Sequence, residues 1–147
     1  MEPIIDHIHI TINDLEKAEK YYDKLLPILG FDIKNKEKDE EPKYEYKIIE
    51  YHNKILSFGI VSPRKEFKDI KINRRRPGSL HHLAFRTKDK EEVDIIYEKI
   101  KNMDGEIVSS PKYYPEYCED YYAFFFKDIE NIEYEIVYFN RGKYFTE

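Results

Sequence analysis

The stretch "DHIHITINDLEKAEKYY", residues 6–22, reads as a strand running into a helix. Ile8, Ile10 and Ile12 fall on one parity, and His7, His9 and Thr11 on the other. Successive side chains of a strand point to opposite faces, so one face is apolar and the other carries two imidazoles. Asn13 and Glu16 then have capping-box spacing. Leu15, Ala18, Tyr22, Leu25, Leu26 and Leu29 follow as an amphipathic stripe. Pro27 kinks this helix or ends it early.

The pattern returns at "HHLAFRTKDKEEVDIIY", residues 81–97. With the chain slid by 75 residues, His7 falls on His82, Ile8 on Leu83, Ile10 on Phe85 and Asp14 on Asp89. Tyr22 then falls on Tyr97, Leu25 on Ile100 and Gly30 on Gly105. First strands are expected over 4–12 and 80–88. The second helix is capped by Asp89 and Glu92 and carries the stripe Val93, Ile96, Tyr97, Ile100 and Met103. Gly30 and Gly105 sit where a left-handed residue ends a helix. Three strand-like runs follow each helix: "FDIK", "YEYKIIEY" and "KILSFGIV", then "EIVSS", "YYAFFFKD" and "IEYEIVYF". The chain therefore reads as an α+β fold of two tandem β-α-β-β-β modules, 1–62 and 80–147, joined by a basic linker at 63–79. The charged run 34–43 is expected to be a solvated loop.

A helix after each first strand covers the apolar rows, which leaves His7 and His82 on the uncovered faces. In the last strand Tyr134, Ile136 and Tyr138 share one parity, and Glu133, Glu135 and Val137 the other. With the apolar row under the helix, Glu135 faces the same cleft as the histidines. Two imidazoles and a carboxylate form a set that suits Fe, Mn, Ni or Zn and leaves coordination positions open to a substrate. The alternative is that all three are ordinary hydrogen-bonded or solvated strand residues.

Composition bounds the rest. The 147 residues include 14 Tyr and 9 Phe and no Trp, a balance suited to a partly wet cavity. The net charge of −5 argues against general nucleic-acid binding. Cys118 is the only cysteine, so no intrachain disulfide forms, which suits a reducing cytoplasm. The N-terminal residues do not read as a secretory signal, and no apolar run is long enough to span a membrane.

The stretches "HIHITINDLEKAEKYY", "LHHLAFRTKD" and "FFFKDIENIEYEIVYF" together resemble the vicinal oxygen chelate superfamily, which includes glyoxalases, fosfomycin-resistance thiol transferases, extradiol dioxygenases and bleomycin-resistance proteins. The resemblance implies an incomplete barrel around a central cleft, with a divalent ion held by His7, His82 and Glu135. Glu135 follows "DIEN", where the family has a "DPDGN"-like turn: Asp128 matches, while Ile129 and Asn131 replace the usual Pro and Gly. Glyoxalases add a fourth ligand, a Glu on the last strand of the first module. Here that position is Ser57 or Gly59, so a standard four-ligand glyoxalase is not expected. Glu133 lies a strand step of about 6–7 Å from Glu135 and is a weaker substitute.

The resemblance thus implies a metal-dependent enzyme acting on a small substrate through vicinal oxygens, of the lyase/isomerase, thiol transferase or dioxygenase class. The alternative is a metal-free, drug-sequestering binding protein. A homodimer is expected from the family. His9 is either a ligand in a register shifted by two or a base beside the ligands, and Glu135 is the catalytic carboxylate. Arg86, Tyr113, Tyr117, Tyr121 and Ser57 are candidates to contact substrate. His81 is expected to be structural, and His52 to be solvated in a hairpin turn. The run Arg74, Arg75 and Arg76 lacks interleaved aromatics and is expected to be a solvated linker or subunit contact.

Overall fold

Alternation in the opening stretch becomes β1, His7–Thr11, with Ile10 and the following Ile12 buried while His7, His9 and Thr11 are exposed. The computed structural model describes residues 4–146 and divides between Lys71 and Ile72 into two units. Among the described residues no helix is long and apolar enough to cross a membrane.

In the first unit β1 is followed by α1 (Leu15–Ile28), β2 (Glu37–Glu41), β3 (Tyr46–His52) and β4 (Ser57–Val61). The strand order is β1-β4-β3-β2, with β1 parallel to β4 and the other pairs antiparallel. α1 buries Ala18, Tyr21, Tyr22, Leu25 and Leu26. Tyr22 stacks on Phe58 of β4 at 5.6 Å between ring centroids.

Three local expectations are corrected. The cap of α1 is Asp14, not Asn13: its Oδ1 accepts from the Lys17 amide at 3.0 Å. Asn13 instead donates to the Ile70 carbonyl and accepts from the Asp69 amide, at 3.1 Å each, which holds the segment after β4 on this unit. "FDIK" makes no strand; Ile33–Asn35 is a 3-10 turn capped by Asp32. The strand lies in the run expected to be a loop: Glu37–Glu41, "EKDEE", pairs antiparallel with β3, and all five residues are exposed. An edge strand needs only backbone pairing on one side, and its charges discourage further pairing on the other. It therefore lacks the apolar alternation that marks a strand in sequence. Pro27 falls in the last turn of α1, which stops one residue later.

The second unit repeats the plan with β5 (Leu83–Arg86), α2 (Lys90–Ile100), β6 (Glu106–Tyr113), β7 (Tyr122–Lys127) and β8 (Glu133–Tyr138), then the short α3 (Arg141–Tyr144). Its order is β5-β8-β7-β6, with β5 parallel to β8. Each module is thus a four-stranded mixed sheet with one principal helix, the α+β duplication read from the sequence. Asp89 caps α2 by accepting from the Glu92 amide at 2.8 Å, and Glu92 reaches back to the Lys88 amide at 3.0 Å. α2 packs on β6, β7 and β8 and buries Val93, Ile96 and Ile100. Phe124, Phe126, Tyr134 and Ile136 are also buried.

Gly30 and Gly105 both take positive φ, +90° and +111°, as their position after the helices requires. Asn131 stands at φ +71° in the "DIEN" turn, and Asn accepts this region more readily than most side chains. Asp128, 3% exposed, accepts from the amides of Glu130 and Ile132 at 2.8 and 2.9 Å. The turn that delivers Glu135 is therefore built without the Pro and Gly of the family pattern.

Candidate active site

The uncovered face of the first sheet can be read from its register. His7, Ser57 and His52 are paired in one row across β1, β4 and β3. His9, Gly59 and Glu50 form the next row. His9 Nε2 lies 2.9 Å from Glu50 Oε1, so Glu50 fixes that nitrogen of the imidazole and leaves Nδ1 for another partner. The contact passes over Gly59, where a Cβ would come within 2.6 Å of His9 Cδ2. His7 is more exposed, with Nδ1 2.9 Å from Asp6 Oδ2 and its ring 4.9 Å from that of His9. His52 is not a solvated turn residue: it ends β3, is half-buried, and its Nδ1 lies 2.7 Å from Ser57 Oγ.

In the second unit Glu135 on β8 is 2% exposed. Its register partners are Ala84 on β5 and Phe125 on β7. Tyr121 donates its hydroxyl to Glu135 Oε1 at 2.5 Å, and His82 Nε2 stands 3.4 Å from Oε2. Burial pushes the Glu135 carboxyl above its ordinary value, against the lowering pull of Tyr121 and His82. Burial and the Glu135 charge push the Tyr121 phenol up, which keeps it a donor. His82 Nδ1 lies 2.8 Å from His81 Nδ1, so His81 steadies the ring whose Nε2 faces the carboxylate. Glu133, 6% exposed on the same face, is taken by Arg74 at 2.7 Å.

Aromatic rings cover this face. Tyr114, Ala123 and Val137 form a buried cluster against which Tyr121, Phe125 and Phe139 pack. Tyr117 stacks on Tyr114 at 5.7 Å and is 62% exposed. Tyr113 lies elsewhere. It pairs with Tyr122, whose hydroxyl donates to Asp94 of α2, so both rings are on the helix-covered face of the sheet. Arg86 is exposed at the end of β5 and pairs in register with Val137.

The two modules differ at one equivalent pair of positions. Ala84 is opposite Glu135 in the second, and His9 is opposite Gly59 in the first. Gly59 is thus the counterpart of Glu135, and the carboxylate of the first module comes instead from Glu50 on β3. Strand parity in "YKIIEYH" could have found Glu50, which shares its face with Ile48 and His52 and alternates with Ile49 and Tyr51. Tyr121 was read only as wall; its hydroxyl contact joins the loop before β7 to Glu135 on β8 and has no local signature.

His82 and Glu135 are donor types that a divalent cation takes. Imidazole nitrogen beside a desolvated carboxylate suits a borderline ion, and a buried anion is costly without positive charge beside it. Among the described residues no three His, Cys, Asp or Glu side chains gather into a metal-ready cluster. The second unit offers His82 and Glu135, and the first His7 and His9.

A family model described as the Glyoxalase/Bleomycin resistance protein/Dioxygenase superfamily matches residues 4–136. The chain belongs to that superfamily. Comparison with curated proteins gave no match. Solved structures share this superfamily fold. A candidate glyoxalase from Bacillus halodurans is 25% identical, with TM-score 0.70 over 93% of this chain and 96% of that one. A glyoxylase/bleomycin resistance protein/dioxygenase domain from Frankia sp. EAN1pec is 16% identical, with TM-score 0.74 over 95% and 100%. The genomically encoded fosfomycin resistance protein FosX from Listeria monocytogenes, complexed with Mn(II) and sulfate, is 15% identical, with TM-score 0.61 over 95% and 94%.

Proposed function

We propose that this superfamily member is a divalent-metal-dependent enzyme acting on a small substrate that presents vicinal oxygens. The observation that carries the reading is Glu135: a carboxylate 2% exposed, with Tyr121 on one oxygen and His82 Nε2 at 3.4 Å from the other. His82 and Glu135 would hold the ion, with His7 as third ligand, the position that the superfamily resemblance assigns it. A bound divalent ion of the Fe, Mn, Ni or Zn type polarises substrate oxygen and stabilises negative charge developing there.

The chain's own groups do the rest. Tyr121 keeps Glu135 in one orientation, and His81 does the same for His82. Glu50 fixes His9 through Nε2, so Nδ1 is the atom that accepts a proton from substrate. Phe125, 6.3 Å from the His82 ring, supplies an apolar wall beside the imidazole. Glyoxalase chemistry with a fourth ligand on β4 is disfavoured, since Gly59 has no side chain to offer.

A second reading, metal-free sequestration of a small molecule, draws on the rings of Tyr114, Tyr117, Tyr121 and Phe139, which pack stacked or edge-on beside the carboxylate. One measurement separates the two. Elemental analysis of protein purified with each of Mn, Fe, Ni and Zn is compared with the His82→Ala variant. One equivalent of metal, lost in His82→Ala with the fold intact, supports the enzyme. No metal at any supplied ion removes it and leaves the sequestering protein.

A further inference from the structure

Tyr121 precedes β7, outside the strand that pairs with β8. The residue of β7 directly opposite Glu135 is Phe125, which has no polar atom to offer the carboxylate. The hydroxyl that meets Glu135 must therefore come from outside the ladder, and Tyr121 delivers it at 2.5 Å. The ring is fixed from several sides: Phe139 stacks on it at 5.3 Å, Tyr117 meets it edge-on at 5.1 Å, and Tyr114 lies at 6.4 Å. Its backbone is fixed as well, since its carbonyl accepts from the Tyr114 amide at 2.8 Å and its amide donates to the Cys118 carbonyl at 3.2 Å.

We propose that Tyr121 is a positioning residue: it occupies Glu135 Oε1 and so presents Oε2 alone, on the side of His82 Nε2, to a divalent cation. The inference rests on the metal-binding reading above. A carboxylate with both oxygens free can swing or chelate through two atoms; one with an oxygen bound to a rigid phenol offers a single donor in a fixed direction. Partners of this kind orient ligands and commonly alter metal affinity by about 10–100-fold when removed. The aromatic stack then has a second task besides lining a cavity, since it holds the phenol in place. Tyr121 accordingly acts on the ion through Glu135 and does not itself need to touch substrate.

The test is Mn(II) binding by calorimetry, with the visible spectrum of the Co(II)-loaded protein as a second readout. Four proteins are compared: the unsubstituted chain, Tyr121→Phe, Glu135→Gln, and Tyr97→Phe as a control for loss of a phenol that meets Ser110. Expected is one site in the unsubstituted chain and in Tyr97→Phe, and loss of binding in Glu135→Gln. Tyr121→Phe should bind 10–100-fold more weakly with an altered Co(II) ligand-field band, while its metal-free melting temperature stays near that of Tyr97→Phe. A purely structural tyrosine would change the melting temperature and leave the Co(II) band in place, which overturns the proposal. Unchanged affinity and spectrum in Tyr121→Phe, with Glu135→Gln still defective, overturns it while the metal reading stands. No ion bound by the unsubstituted chain overturns both.

Discussion

Glu50 on β3 reaches His9 on β1 across an intervening strand, and the residue between them is Gly59. The carboxylate and imidazole meet because β4 carries no side chain at that point. A Cβ there would come within 2.6 Å of His9 Cδ2. Gly59→Ala should therefore displace the imidazole and cost roughly 1–3 kcal/mol of stability, the usual penalty of overpacking. Denaturant titration measures the loss, and the His9 imidazole resonances report the displacement. Adding His9→Ala to Gly59→Ala should recover most of the cost. Simple additivity of the two variants would show that the clash is not with His9.

Asp14 and Asn13 are neighbours with different tasks. Asp14→Ala removes the helix cap and should lower the melting temperature. Asn13→Ala should instead release the segment that it holds at Asp69 and Ile70. Trypsin cleavage at Arg64, Lys65, Lys68 or Lys71 should then accelerate in Asn13→Ala and stay unchanged in Asp14→Ala.

The first unit should lose stability in acid through Glu19. Lys36 Nζ lies 2.8 Å from Glu19 and 2.9 Å from Asp23, and Lys38 also reaches Glu19. Burial raises the Glu19 carboxyl, but the two ammonium groups outweigh it and leave the group below its ordinary value of 4.5. A carboxyl depressed in the folded state contributes stability that is present above the unfolded value and lost as pH falls through the folded one. The melting temperature should thus fall as pH drops below 4.5. Lys36→Met should flatten that dependence and cost roughly 1.5–3 kcal/mol at neutral pH, the worth of a charge-assisted hydrogen bond. An unchanged acid limb in Lys36→Met would refute the assignment.

Gly105 carries a sharper constraint than its counterpart Gly30. It stands at φ +111°, and a Cβ would collide with the Lys127 carbonyl oxygen, whereas nothing lies near a Cβ at Gly30. Gly105→Ala should cost roughly 1–3 kcal/mol and Gly30→Ala less, since strain alone acts there. Thermal melts of the two variants side by side decide it.

The duplicated plan was legible because its signals are local and periodic: apolar alternation in β1, capping residues before each helix, and a glycine after each. The edge strand Glu37–Glu41 was not, since backbone pairing on one side imposes no pattern on five solvated charges. Of the site, strand parity gave His7, His9 and Glu135 their faces. Parity places residues on a face but not in contact, so the partners stayed hidden. Glu50 needed the register of three strands, and Tyr121 needed a loop folded back on β8. Tyr113 shows the converse. A run dense in tyrosines suggested one wall, while the irregular pairing of β6 with β7 put its ring on the helix side.

The exchange of His9 over Gly59 for Ala84 beside Glu135 bears on ancestry. A gene that doubled would have begun with both halves alike, and the two halves now differ at both of these positions. Installing Ala at 9 and Glu at 59 would restore the lost sameness in the amino-terminal half. A variant library confined to those two sites would sample the states that lie between the two halves.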